Sequence, residues 1–146
     1  MDWIRDPIGK YGAYKLRAMQ RPSTIRLRSS LLEEANAIVE RDYASDLSLD
    51  DIARRVASSR RQLQRAYAEI GRTTFRDHLT HVRMERAAEL LATRMFTVRE
   101  VANRVGYRQP AQFAKAFRRH RGVSPSDFRA GGGSARGPTT EVRTAA

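Results

Sequence analysis

One six-residue pattern occurs twice in this chain, as Ile52-Ala53-Arg54-Arg55-Val56-Ala57 and as Val101-Ala102-Asn103-Arg104-Val105-Gly106. Each copy is followed by a short turn and then by two apolar residues four apart, Leu63 and Tyr67 in the first and Phe113 and Phe117 in the second. Gly71 and Gly122 close the two copies, so the offset is about 49 to 51 residues. Such spacing reads as a short helix, a tight turn at a small residue, and a second helix. The buried Ala of the first helix lets the second pack closely across it. Ala57 or Gly106 makes the turn without a bulky side chain. This is a helix-turn-helix, whose second helix enters a major groove of DNA. A single copy would fit a helical hairpin of many repeat proteins equally well. Two copies, each with a polar or basic outer face on its second helix, point to DNA.

The rest of the chain carries helix signals and almost no strand signal, which predicts an all-α fold. Ser or Thr followed three residues later by an acid or Gln marks a helix start, because the cap oxygen accepts a backbone N–H and the later side chain reaches back. Ser30…Glu33 predicts a helix to about Tyr43, with Leu31, Leu32, Ala35, Ile38 and Val39 inward. Ser48…Asp51 and Ser59…Gln62 open the first copy, and Gly71 is expected to end it in the left-handed conformation. Thr74…Asp77 opens a linking helix to about Ala92, burying Phe75, Leu79, Val82, Ala87, Leu90 and Leu91. Thr97…Glu100 opens the second copy. Pro110 suits the first turn of its second helix, and Ser124-Pro125-Ser126-Asp127 caps a last short helix around Phe128. The segment 1–28 mixes aromatic and basic residues, is interrupted by Gly9, Gly12 and Pro22, and has no evident role. Residues 130–146 are expected to be a disordered tail.

The formal net charge is +12. A field of one sign favours polyanions, since bound phosphates release their counterions. Lysine occurs only at Lys10, Lys15 and Lys115, so the charge is mostly arginine, whose planar fork matches phosphate or guanine. With no cysteine, disulfides, thiolate metal sites and a Cys nucleophile are excluded. No apolar run spans a bilayer, and Met1 to Lys10 lacks a signal core, so a cytoplasmic protein is expected, on the nucleoid through its DNA partner. No Gly-rich phosphate loop or nucleophile constellation suggests an enzyme. No cofactor is expected. His78 and His81 stand three apart on the linking helix, and with no acid or Cys completing a site nearby in sequence, no metal is expected there.

Residues about 29 to 129 resemble the DNA-binding domain of AraC/XylS-family bacterial regulators. The resemblance lies in Leu49-x2-Ile52-Ala53, Ser59-x3-Leu63-x-Arg65-x-Tyr67, and Arg83-x3-Ala87-x2-Leu90-Leu91. It continues in Val101-Ala102-x2-Val105-Gly106-Tyr107, Phe113-x3-Phe117-x4-Gly122 and Ser124-Pro125-x2-Phe128-Arg129. It implies a seven-helix domain: a first helix-turn-helix at about 48–71, a linking helix at 74–92, and a second helix-turn-helix at 97–122. It also implies frequent roles in activation. With only residues 1–28 ahead of the domain, the chain looks like small stand-alone members without a sensor domain.

On the first recognition helix Arg61, Gln64 and Arg65 share an exposed face and match the family's base-reading positions. Arg pairs with guanine and Gln with adenine through two bonds. On the second, the reading positions fall on Pro110, Ala111, Gln112 and Lys115. This copy is poorer in long polar side chains. Ala111 offers only contact with a thymine methyl, and Lys115 suits a phosphate as well as a base. Arg60, Arg108, Arg118 and Arg119 are the candidate phosphate contacts. Arg83 matches the family but, on the linking helix, suits packing. At about 1.5 Å per residue the linking helix is about 28 Å long, near the groove repeat of about 34 Å on one face of DNA. These features describe a monomeric activator on a bipartite asymmetric site, contacting RNA polymerase. Two readings stay open beside it: an architectural protein that bends DNA with weak preference, and an adaptor docking a protein through Trp3, Tyr11 and Tyr14.

Overall fold

In a computed structural model of the chain, residues 22–131 are described. They form seven helices and no strand: α1 (Pro22–Asp42), α2 (Leu49–Arg55), α3 (Arg60–Ala66), α4 (Phe75–Ala92), α5 (Val98–Arg104), α6 (Pro110–Arg121) and α7 (Pro125–Ala130). A π-helical turn, Tyr67–Gly71, continues α3. Among the described residues no helix is long and apolar enough to cross a membrane. The expectations for residues 1–21 and for the tail from residue 132 onward lie outside the described residues.

The cap signals act as the sequence suggests. Ser48 with Asp51 and Thr97 with Glu100 form complete reciprocal capping boxes on α2 and α5. Thr74 and Ser124 accept the backbone N–H of Asp77 and Asp127. Ser59 likewise accepts from Gln62, but the Gln62 side chain turns to the Ser58 hydroxyl, 2.9 Å away, and leaves that box half made.

Two helix ends differ from expectation. The helix predicted from Ser30 reaches back to Pro22, and the domain boundary drawn at residue 29 falls inside it. Pro22 is the first described residue of this helix, and at a first turn a missing N–H has no partner to lose. Arg28, a turn and a half on, pairs with Glu69 of the π turn and ties this extension to the domain. At the other end, the left-handed residue closing the first copy is Arg72 (φ 50), not Gly71. The wider π turn takes one more residue before the chain reverses, and the Tyr67 carbonyl then accepts from the N–H groups of Arg72 and Thr73. Gly71 serves a close approach instead: a Cβ there would lie 3.3 Å from Leu32 Cδ2.

Two cores form, and α4 belongs to both. Leu32, Ala35 and Val39 of α1, Ile52 and Ala53 of α2, and Leu63, Ala66 and Tyr67 pack on Leu79 and Val82. Met84, Ala87, Ala88 and Leu91 take the second half of α4 into a core with Val101, Ala102, Val105, Phe113, Phe117 and Phe128. The second is the more aromatic: Phe117 packs edge-on against Phe128 with centroids 5.4 Å apart, and Tyr107 against Phe113 at 5.6 Å. Burying a side chain of this size stabilises a fold by about 1.5–3 kcal/mol, so each core holds its unit on the shared helix. Met84 and Ala88, absent from the predicted apolar face, are buried because α4 is covered on two sides by different partners.

Candidate nucleic-acid interface

The two helix-turn-helix units are built alike down to single hydrogen bonds. In the first, Val56 N–H donates to Ile52 O at 3.0 Å, Ala57 to Arg54 O at 3.2 Å and Ser58 to Ala53 O at 2.9 Å. In the second, Val105 donates to Val101 O at 3.0 Å, Gly106 to Asn103 O at 3.2 Å and Tyr107 to Ala102 O at 2.9 Å. Each turn needs a positive φ, 51 at Ala57 and 92 at Gly106. Ala53 and Ala102 are buried, and their short side chains admit the second helix.

Those second helices, α3 and α6, present the predicted residues to solvent. Leu63 and Ala66 anchor α3, and Phe113 and Phe117 anchor α6, all fully buried. The anchors fix the opposite faces outward by the helical repeat. Arg61, Gln64 and Arg65 are exposed on α3, and Ala111, Gln112 and Lys115 on α6. Among the described residues, the long side chains of this set make no hydrogen bond or ion pair. The same is true of Arg108, Arg118 and Arg119, which are exposed at the start and end of α6. Some arginines elsewhere are neutralised, Arg28 by Glu69, Arg54 by Asp51, Arg55 by Asp42 and Arg86 by Glu40 and Glu89, whereas Arg72, Arg76 and Arg99 have no ion pair among the described residues. Arg60 departs from the other phosphate candidates, because Asp50 of α2 holds it at 2.9 Å.

The N-terminus of α6 has no side-chain cap. Gln109 makes no side-chain cap hydrogen bond, Pro110 has no N–H and Gln112 N–H donates to Gln109 O at 3.1 Å, so of the first turn only Ala111 N–H stays available to an anion. The last turn carries Arg118, Arg119, His120 and Arg121, whose charge complements the negative end of the helix dipole. Between α3 and the turn before α6 runs a groove of mixed lining, with Leu47, Leu49, Phe75 and Leu79 at its apolar side and Gln64, Arg76 and Thr80 among its polar groups. Arg76, on the first turn of α4, was missed in the sequence; only the fold puts it in this groove and in the adjoining hollow with Arg119.

Arg83 holds the two units together. It lies between Val82 of the first core and Met84 of the second. Its Nε donates to Tyr43 O at 2.8 Å and its Nη2 to Ser45 O at 2.9 Å, both in the α1–α2 loop. The same guanidinium stands over the Tyr107 ring, 5.6 Å from its centroid, and against Gly106, where a Cβ would meet it at 3.1 Å and Ala44 O at 2.9 Å. Burial lowers the Arg83 pKa from its ordinary value, which still leaves it charged. The sequence suggested packing; the structure adds that the packing bridges the turn of one unit and a loop of the other.

The histidines separate. The Tyr67 hydroxyl lies 3.3 Å from His78 Nδ1. Burial pushes Tyr67 up to about 12 and holds His78 below its ordinary value, and the imidazole tautomer sets which of the two donates. His81 instead faces His120 of α6 and Glu85 of its own helix, partners that the sequence reading did not join. Burial pushes the Glu85 carboxyl up, but the hydrogen bond from His120 and the charge of Arg121 outweigh it and hold it low.

A family model described as a helix-turn-helix domain matches residues 52–131. The HTH-type transcriptional activator AarP of Providencia stuartii is 30% identical over 104 residues, covering 71% of this chain and 77% of AarP. This chain belongs to the AraC-type helix-turn-helix family. The Msm operon regulatory protein of Streptococcus mutans is 31% identical to this AraC-type chain over 98 residues, 67% of the chain and 35% of that protein. The chain thus spans about a third of the length of such operon regulators. The DNA-binding domain of AdpA, solved in complex with a target DNA, superposes with a TM-score of 0.63 at 31% identity, covering 69% of this chain and 90% of that one. These relatives are transcription regulators, and neither they nor the fold suggests an enzyme.

Proposed function

We propose that this AraC-type chain is a sequence-specific double-stranded DNA-binding regulator, acting as a monomeric activator on a bipartite asymmetric site. The observation that carries the reading is the pair of unlike recognition helices, each with an unneutralised outer face, fixed on one helix α4. Arg61, Gln64 and Arg65 read base edges from α3, where Arg suits guanine and Gln adenine. Gln112 reads from α6, with Ala111 against a thymine methyl and Lys115 shared between base and phosphate. Arg108, Arg118 and Arg119 hold phosphates; Arg60 joins them only when its pair with Asp50 opens. Arg76 takes the backbone segment that crosses between the two grooves. Because the two halves of the site are read by different residues of one chain, no second copy is needed. Activation is supported by the relative AarP, and it proceeds by contact with RNA polymerase beside the site, on the nucleoid.

The test is selection of bound fragments from randomised and genomic DNA, followed by footprinting with competitor at physiological salt. A shared asymmetric site of about two helical turns is expected. Binding with no preferred sequence that vanishes steeply with salt would instead assign the chain to architectural DNA binding. The short side chain of Ala111 on α6 is the feature that favours this second reading.

A further inference from the structure

Where α4 crosses α6, three side chains outside the proposed DNA contacts converge. His81 and Glu85 are four residues apart on α4 and share a face; His120 comes from the last turn of α6. One donor atom from each lies within 4.8 Å of the other two. His120 Nε2 is 3.2 Å from Glu85 Oε1, and the His81 and His120 rings stand edge to face with centroids 5.1 Å apart. The chain has three histidines, and two of them are here.

Imidazole nitrogen and carboxylate oxygen are ordinary zinc donors, and metal–ligand bonds of about 2.0–2.2 Å put tetrahedral donor atoms about 3.3 Å apart. His120 Nε2 stands 3.2 Å from Glu85 Oε1, so a turn of the carboxylate that brings Oε2 toward the imidazole reaches such a spacing, and the exposed His81 can turn its ring toward the pair. Arg121 donates to Glu85 Oε1 at 2.8 Å, while Oε2 accepts no hydrogen bond among the described residues. The arginine therefore orients the carboxylate through one oxygen and leaves the other for a cation, as hydrogen bonds around metal-ligating carboxylates do. The hollow beside the cluster, lined by Thr80, Ala116 and Arg119, gives access from solvent.

We propose that His81, Glu85 and His120 form a binding site for a divalent transition metal of the zinc class, with its fourth position left to water. A bound ion links α4 to the end of the second recognition helix. It stabilises the folded chain and fixes the pitch at which α6 leaves the second core. The site is independent of the assignment of base-reading residues, and its test needs no DNA.

The experiment uses the full chain without a histidine tag, stripped with chelator. Zn2+ is titrated calorimetrically and Co2+ optically, and the thermal midpoint is followed with and without Zn2+. One ion per chain is expected, with a Kd of about 1 μM or tighter, proton release on binding, a tetrahedral Co2+ spectrum and a raised midpoint. H81Q, at an exposed position that leaves the cores intact, is expected to weaken binding at least about tenfold. H120Q should do the same, with its metal-free midpoint reporting whether the fold is kept, and H78Q should leave the affinity unchanged. Saturation only above about 1 mM, or wild-type affinity in H81Q, overturns the proposal.

Discussion

Ala57 and Gly106 occupy the same place in the two helix-turn-helix units and have the same left-handed backbone, yet their surroundings differ. Ala57 is exposed, whereas Gly106 is pressed between the Ala44 carbonyl and the Arg83 guanidinium. The difference extends outward. The first unit has a short, side-chain-capped recognition helix, a mainly aliphatic core around the single buried ring of Tyr67, and long polar side chains on its outer face. The second has a longer helix of 12 residues, no side-chain cap, an aromatic core and a thinner reading face. One backbone plan is thus filled in two ways. The first unit carries the longer polar side chains on its outer face, and the second the more aromatic core and the cluster of arginines at the end of its helix.

Truncating the second core should have the largest effect. Phe117→Ala removes a fully buried ring and is expected to cost about 3–5 kcal/mol, against about 2–5 for Leu63→Ala in the first core. Residue-resolved hydrogen exchange should show amides of α5 and α6 losing protection first in Phe117→Ala, and those of α2 and α3 first in Leu63→Ala. Uniform loss in both variants would make the two units one cooperative body. Next come the turns. Gly106→Ala should destabilise by about 2–3 kcal/mol through its strained φ and the Arg83 contact, while Ala57→Gly relieves an unfavourable φ and is expected to be neutral or to stabilise by up to about 1 kcal/mol. Denaturant midpoints giving one sign for both would erase the distinction.

The readers test the division of labour on DNA. Gln64→Ala and Arg61→Ala should each cost about 1–3 kcal/mol in binding and relax one base position. Gln112→Ala should cost less, and Lys115→Ala should weaken all sequences alike, lowering the salt slope by about 0.9. Competition binding on single-base variants of the selected site would show it; equal relaxation by Gln112→Ala would make α6 a full reader. The smallest effect is on pH. His78 is held neutral by burial, so its folded pKa lies below its unfolded value of about 6.5. Its contribution is complete above that value and is lost as pH falls through and below it. Stability should therefore decline as pH falls through and below about 6.5, and His78→Gln should flatten the decline in denaturant titrations at each pH.

Much of this was legible because the signals are local. Ser48, Thr74, Thr97 and Ser124 mark helix starts through hydrogen bonds that span three residues, and the outward set on α3 follows from the positions of Leu63 and Ala66 alone. Features that depend on distant chain segments were not legible in the same way. Helix α1 runs back past Ser30, where Arg28 pairs with Glu69 forty-one residues on, and Gly71 is small because Leu32 of α1 presses on it. Arg72 closes the first unit because of a π turn that no cap residue announces. The meeting of His81 and Glu85 with His120, 35 residues beyond Glu85, follows from the crossing of two helices, which sequence spacing does not contain.

The seat of Arg83 turns the molecule into a gauge. A flexible joint between the two recognition helices would let the protein follow targets whose halves are spaced differently. Here the joint is a helix interior braced by two carbonyls and closed by a glycine with no room for a side chain. Adding one base pair between the half-sites turns the far half by about 34° and moves it by about 3.4 Å. The protein has no hinge to take up that rotation, so the DNA must twist or one helix must let go. On the proposed bipartite site, spacing would then be recognised alongside the bases themselves, and promoters whose halves fall out of phase are expected to be rejected although every contacted base is correct.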